Sequence, residues 1–187
     1  MVSAVQRAFI KKLDSPEPSI RAKAVEAIIS GICSNPETPS DQLWEAVRSG
    51  LHDSSPMVRT HTAQYLYFDS HKYLRSHGGK SNGDLEEVLG GTVAHALVTN
   101  IGDADADVRK WSIVATGSWG IQDATEVLIS ATSDRSKDVR MAAIEALGNM
   151  KVVQSIDSLI ALMEDPDIDI QKEAIAALSG IESDDAR

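Results

Sequence analysis

The sequence predicts an all-α solenoid of about five antiparallel helix pairs. Two observations lead there. One patterned segment recurs five times along the 187 residues, and internal repetition at this period is the mark of stacked supersecondary units. The composition also suits closely packed helices: alanine is frequent and aromatic residues make up only 4% of the chain. A hydrophobic fraction of 42% is that of a globular chain rather than a disordered one.

Each recurring segment has an acidic or small polar turn, an aliphatic residue followed in four of five copies by arginine, and then a helical apolar pattern. The pairs are Ile20-Arg21, Val58-Arg59, Val108-Arg109 and Val139-Arg140, with Ile170-Gln171 in the fifth copy. The last three copies are 31 residues apart, whereas the first two gaps are 38 and 50 residues.

The flanking residues explain why a helix starts at each pair. Three positions earlier stand Glu17, Ser55, Asp105, Ser136 and Asp167, and four of the five are good N-cap residues. Pro18 and Pro56 follow in two copies, where proline's missing N–H costs nothing. Asp107, Asp138 and Asp169 then complement the positive end of the helix dipole. Apolar or small residues fall at offsets 0, +4, +5 and +8, as in Val139, Ala143, Ile144 and Leu147, which is a helical stripe. Gly148 and Gly180 are expected as helix stops. A first helix precedes each of these, at about 2–13, 40–51, 84–101, 122–131 and 152–163. The resulting single domain, 1–187, divides into repeats at about 1–33, 40–68, 84–119, 121–149 and 151–181, with an insertion at about 69–83.

This pattern resembles HEAT repeats over nearly the whole chain. The short repeat with its Ala-Leu-Gly endings is similar to the HEAT-like subgroup named after phycobilisome lyases. A matching feature is an aspartate six residues before the arginine. In HEAT families such a pair is associated with a ladder linking neighbouring repeats, so the resemblance assigns that role to Asp53, Arg59, Asp103, Arg109, Asp134 and Arg140. Ser15 before Arg21 and Gln171 after Asp165 depart from the pattern, so the resemblance carries no ladder to the two ends.

In such solenoids the second helix of each pair lines the concave face. Trp111 stands there where the equivalent positions hold Lys23, His61, Ala142 and Glu173. With His61, Gln64, Tyr65 and Phe68 it is expected to form an aromatic patch, of the kind that anchors partners. Two readings stay open for Trp111: an exposed anchor, or a filler beside the insertion. Trp119 is read as capping the core between repeats or, as the alternative, standing at the rim, and Trp44 is expected in packing. The insertion carries Lys72, Arg75 and Lys80 against Asp69, which makes it locally basic, and its glycines imply a mobile loop. It is read either as a further partner contact or as a tolerated, solvated insertion.

Several function classes are disfavoured. A net charge of −10 argues against a nucleic-acid partner, which needs clustered Lys and Arg. The same charge, with no basic row on the concave face, argues against alkylpurine DNA glycosylases of HEAT-like fold. None of the five histidines is followed by glutamate, so the paired His-Glu motifs of deoxyhypusine hydroxylase are absent. Gly78-Gly79-Lys80-Ser81 lacks the earlier glycine and the preceding strand of a phosphate-binding loop. No serine sits in a nucleophile elbow. No apolar run is long enough for a membrane span, no secretory leader is evident, and the lone Cys33 suits a reducing cytosol. The expectation is a non-catalytic, cytoplasmic scaffold or adaptor that binds a protein partner without cofactor or metal. The subgroup's name implies an alternative, an accessory or lyase-type subunit acting on a chromophore-bearing protein such as a phycobiliprotein.

Overall fold

A computed structural model describes residues 2–34, 40–76 and 91–185. Its elements are helices joined by short turns, in pairs. The first pair is α1 (Ala4–Lys12) and α2 (Pro18–Ser34), the second α3 (Asp41–Leu51) and α4 (Pro56–Ser76), and the third α5 (Gly91–Asn100) and α6 (Ala106–Trp119). The fourth is α7 (Thr125–Ala131) and α8 (Lys137–Asn149), and the fifth α9 (Ile156–Leu162) and α10 (Ile168–Asp185). Short 3-10 turns, Gln122–Ala124 and Val153–Ser155, lead into α7 and α9. The second helices α2, α4, α6, α8 and α10 pack on one another in series to form one layer, and each carries its first helix on the other side.

Local chemistry sets the helix starts. Pro18 and Pro56 open α2 and α4. The Asp105 carboxylate accepts the backbone N–H groups of Asp107 and Val108 at 3.0 and 3.1 Å and so caps α6. Ser3 and Gln6 close a reciprocal capping box on α1. The stops differ from the sequence expectation. Gly148 and Gly180 lie inside α8 and α10. The chain instead turns left-handed at Gly120 after α6 (φ 66°) and at Lys151 after α8 (φ 54°), the same repeat position 31 residues apart. There the amides of Ile121 and Val152 donate back to Thr116 and Leu147, as in a Schellman turn.

Gly148 is required for a different reason. A Cβ added to it would lie 2.8 Å from the Cα of Ala177, and one added to Gly117 would lie 2.8 Å from the Cβ of Ala146. Successive second helices therefore touch through Gly–Ala contacts between α6 and α8 and between α8 and α10.

The core is the row of buried aliphatic residues between the layers, with Val25, Val58, Val108, Val139 and Ile170 all fully buried. Trp119 belongs to it: it is 1% exposed, and its indole Nε1–H donates to the Leu66 carbonyl of α4 at 2.9 Å. Trp44 is half-buried against the same core. Asn100 is buried and donates to the Leu51 carbonyl at 2.8 Å, tying the end of α5 to the end of α3. Helix α4 continues to Ser76, so residues 69–76, expected in the insertion, extend the helix by about two turns. Residues 77–83 lie outside the described residues. Among the described residues no helix is long and apolar enough to cross a membrane.

Candidate functional site

Turns between paired helices carry Asp53, Asp103 and Asp134, and the first turns of the second helices carry Arg21, Arg59, Arg109 and Arg140. The sequence motif sets an aspartate six residues before an arginine, and the family resemblance gives the two a role between neighbouring repeats. In the structure each of these carboxylates receives the arginine of the preceding repeat. Arg21 binds Asp53 through Nε and Nη2, both at 2.7 Å. Arg59 binds Asp103 at 2.9 Å through both atoms, and Arg109 binds Asp134 at 2.8 Å through both. Each arginine then turns Nη1 back to the main-chain carbonyl six residues earlier in its own repeat: Ser15, Asp53, Asp103 and, for Arg140, Asp134. The side-chain amide of Gln171 does the same with Asp165. Arg21, which the sequence pattern left out, is thus the first donor of the series. Among the described residues no ion pair joins Arg140 to Asp165, so the fourth junction lacks this rung.

Each carboxylate also shapes its own turn by accepting the amide two residues on: Ser55, Asp105 and Ser136. Burial alone would raise the carboxyls of Asp53, Asp103 and Asp134. The arginine hydrogen bonds, the amide donors and the nearby guanidinium charges outweigh it and hold all three below the ordinary carboxylate range. This constellation binds repeat to repeat, and its groups are engaged with one another.

The second-helix face is different. A row of rings runs across it from α4 to α6. His61 lies 4.8 Å from Tyr65, and Tyr65 meets Phe68 edge-on at 6.4 Å. Phe68 is 6.0 Å from Trp111, and Tyr67 joins both Phe68, at 5.3 Å, and Trp111, at 6.1 Å. Phe68 is 50% exposed, and Tyr67 and Trp111 are half-buried. Among the described residues the ring partners of Trp111 are therefore Tyr67 and Phe68. His61, expected beside Trp111, contacts Tyr65 and lies 3.3 Å from the Glu26 carboxylate of α2. Tyr65 also hydrogen-bonds Glu26, and that contact, ahead of His61, lowers the Glu26 carboxyl. Gln64 lines a hollow with His61, Met57 and Asp107.

Beside the rings lies a groove of about 490 Å³ between α6 and α8, lined by Tyr67, Trp111, Gly117, Ser118, Glu145 and Asn149, among others. Its floor is the Gly117–Ala146 contact. The offset occupied by Tyr67 in the second copy holds Gly117 and Gly148 in the next two. Sequence reasoning missed Tyr67, although that switch from a ring to glycine at one repeat position was a readable signal. A neighbouring hollow of about 450 Å³ between α8 and α10 holds Lys110, Lys137, Glu145, Lys172 and Glu173. Lys72 and Arg75 fall on the last turns of α4, and Lys80 lies outside the described residues. Among the described residues no group of three His, Cys, Asp or Glu side chains is placed to hold a metal ion.

Stacked helix pairs bridged by interlocking Arg–Asp contacts define a helical repeat solenoid. The chain belongs to the HEAT-repeat proteins: the family model described as HEAT repeats matches residues 94–186, the last three repeats. No curated protein matches the chain. Among solved structures it is similar to an engineered protein, at 20% identity over 97% of this chain and 81% of that one, with a TM-score of 0.71. It is also similar to the complex of CpcE and CpcF of phycocyanin lyase from Nostoc sp. PCC7120, at 15% identity over 98% and 67% of the two chains, with a TM-score of 0.69. Computationally designed armadillo repeat proteins for modular peptide recognition match at 22% identity over 92% and 80%, with a TM-score of 0.61. At these identities the likeness is one of fold.

Proposed function

We propose that the protein is a non-catalytic interaction scaffold that grips a protein partner on its second-helix face, at the ring row and the groove beside it. The observation that carries this reading is the half-exposed Phe68–Trp111–Tyr67 cluster at the mouth of a groove floored by small residues. Clustered, partly exposed aromatic residues beside a concavity are the usual anchors of an interface. Rings needed only to fill the core would be buried, as Trp119 is. The single cysteine supports a reducing compartment, the cytoplasm.

The test uses the tagged full chain and its Phe68→Ala and Trp111→Ala variants to capture proteins from native lysate, with thermal melts alongside. A partner held by wild type is expected to fall by about tenfold or more in each variant, while the melting midpoint moves by only a few degrees. Equal capture by all three proteins would sink the reading.

A second reading rests on the fold likeness to CpcE and CpcF: a subunit acting on a chromophore-bearing protein. Incubation with bilin and apo-phycobiliprotein distinguishes the two. Chromophore transfer or an absorption shift is expected under the second reading, and an unchanged spectrum under the first.

A further inference from the structure

The groove between α6 and α8 has an unbalanced charge. Among its lining residues the ionisable side chains are Glu145 and Tyr67, and none is lysine or arginine. Glu145 is exposed and makes no hydrogen bond or ion pair among the described residues. Its counterpart three repeats earlier is Glu26, at the same offset from its helix start. Glu26 is engaged by Tyr65 and His61. The same carboxylate is thus satisfied within the protein in the first repeat and presented to a groove in the fourth.

The surroundings of Glu145 add to the negative field. Glu173 lies across the neighbouring hollow, and burial, then the charge of Glu145, pushes its carboxyl up. Of the lysines lining that hollow, Lys110 is bound to Asp138, and Lys137 to Asp167 and Asp169. Lys172 lines the far hollow but not the groove. The rings of Trp111 and Tyr67, 6.1 Å apart and inclined at 50°, line the same groove as Glu145. Aromatic faces carry negative charge density and attract cations, tryptophan most strongly, and a carboxylate completes a guanidinium's or ammonium's hydrogen bonding.

We infer that this groove takes a cationic side chain, arginine or lysine, from the partner, stacked on Trp111 and Tyr67 and paired with Glu145. The inference rests on the scaffold reading above and names the chemistry of its partner. A positively charged segment also suits a protein of net charge −10.

The test titrates the full chain with acetyl-Gly-Arg-Gly-amide and, in parallel, with the norleucine analogue. The readout is the indole N–H resonance of Trp111, assigned by its loss in Trp111→Ala. The arginine peptide is expected to shift this resonance saturably, leaving Trp44 and Trp119 in place, and to bind about tenfold more tightly than the norleucine peptide. Glu145→Gln is expected to weaken the arginine peptide about three- to tenfold, and Glu126→Gln, on α7, to leave it unchanged. Equal response to both peptides, or an affinity untouched by Glu145→Gln, overturns the inference. A partner whose capture needs Trp111 and Phe68 but ignores Glu145→Gln overturns it too, while the scaffold reading stands.

Discussion

Asp103 illustrates how much one ladder residue does. Its carboxylate receives two bonds from Arg59 of the preceding repeat and the amide of Asp105 in its own turn, and its main-chain carbonyl receives Arg109. Its side chain is 12% exposed, so removing it leaves a half-buried guanidinium without its partner. Asp103→Ala is expected to lower unfolding free energy by about 2–3 kcal/mol, and Asp103→Asn by less, because the amide oxygen keeps the turn bond. Urea titrations of the three proteins check this, and equal midpoints would refute it. The Asp and Arg types at fixed spacing and, through the family resemblance, their role between neighbouring repeats were legible in the sequence, but which arginine each carboxylate takes was not. Stacking brings each carboxylate to an arginine 32, 44 or 25 residues earlier in the chain, separations that a six-residue motif does not encode. The same limit hid Arg21, whose acceptor lies in the next repeat.

At the scale of elements, the helix pairs follow from the apolar offsets and the capping residues, which are local signals. What the sequence could not resolve was the purpose of its glycines, because close approach between helices has no local signature. Two glycines separate the effects. Alanine in a helix interior is favoured over glycine by about 0.5–1 kcal/mol. A Cβ at Gly31 in α2 meets nothing within 4 Å, so Gly31→Ala is expected to be stabilising by that amount. At Gly117 the added Cβ would strike Ala146, including its Cα at 3.1 Å, and overpacking costs about 1–3 kcal/mol. Gly117→Ala is therefore expected to be destabilising, by about 1 kcal/mol after the helix gain is offset. Melts of both variants would show shifts of opposite sign; a gain at Gly117 would mean that α8 yields easily. The length of α4 was hidden for a related reason: the glycines at 78 and 79 drew attention to a loop, while Tyr73 and Leu74 continue a helix.

For the molecule as a whole, the ladder sets a pH dependence. Asp53, Asp103 and Asp134 have folded-state carboxyls lowered below their unfolded value, so their contribution is complete above about pH 4. It is lost as pH falls through the lowered values. Stability is expected to be flat from pH 7 to 5 as far as these groups are concerned, and to drop between about pH 4 and 2. In Asp103→Asn the acid loss is expected to be smaller than in wild type. Denaturant midpoints across that range measure it, and an identical acid loss in both proteins would exclude the ladder as its source. The candidate site was partly legible at this scale. The ring types on the second helices marked the face, but the groove arises from neighbouring helices meeting over Gly117 and Ala146, a relation that exists only in the stack.

The missing rung between Arg140 and Asp165 has a mechanical meaning. Drawn by its two ends, the solenoid transmits tension from repeat to repeat, and the first three junctions resist with paired guanidinium–carboxylate clasps. The fourth resists with apolar contact and the more exposed pairs of Lys137, which are individually weak. Under a rising pull the fifth helix pair should peel away first, releasing roughly 110 Å of slack for its 31 residues. The remaining four would let go later, at a higher force. An optical-trap trace with one large step and no early release of that length would show that the chain yields as a single body.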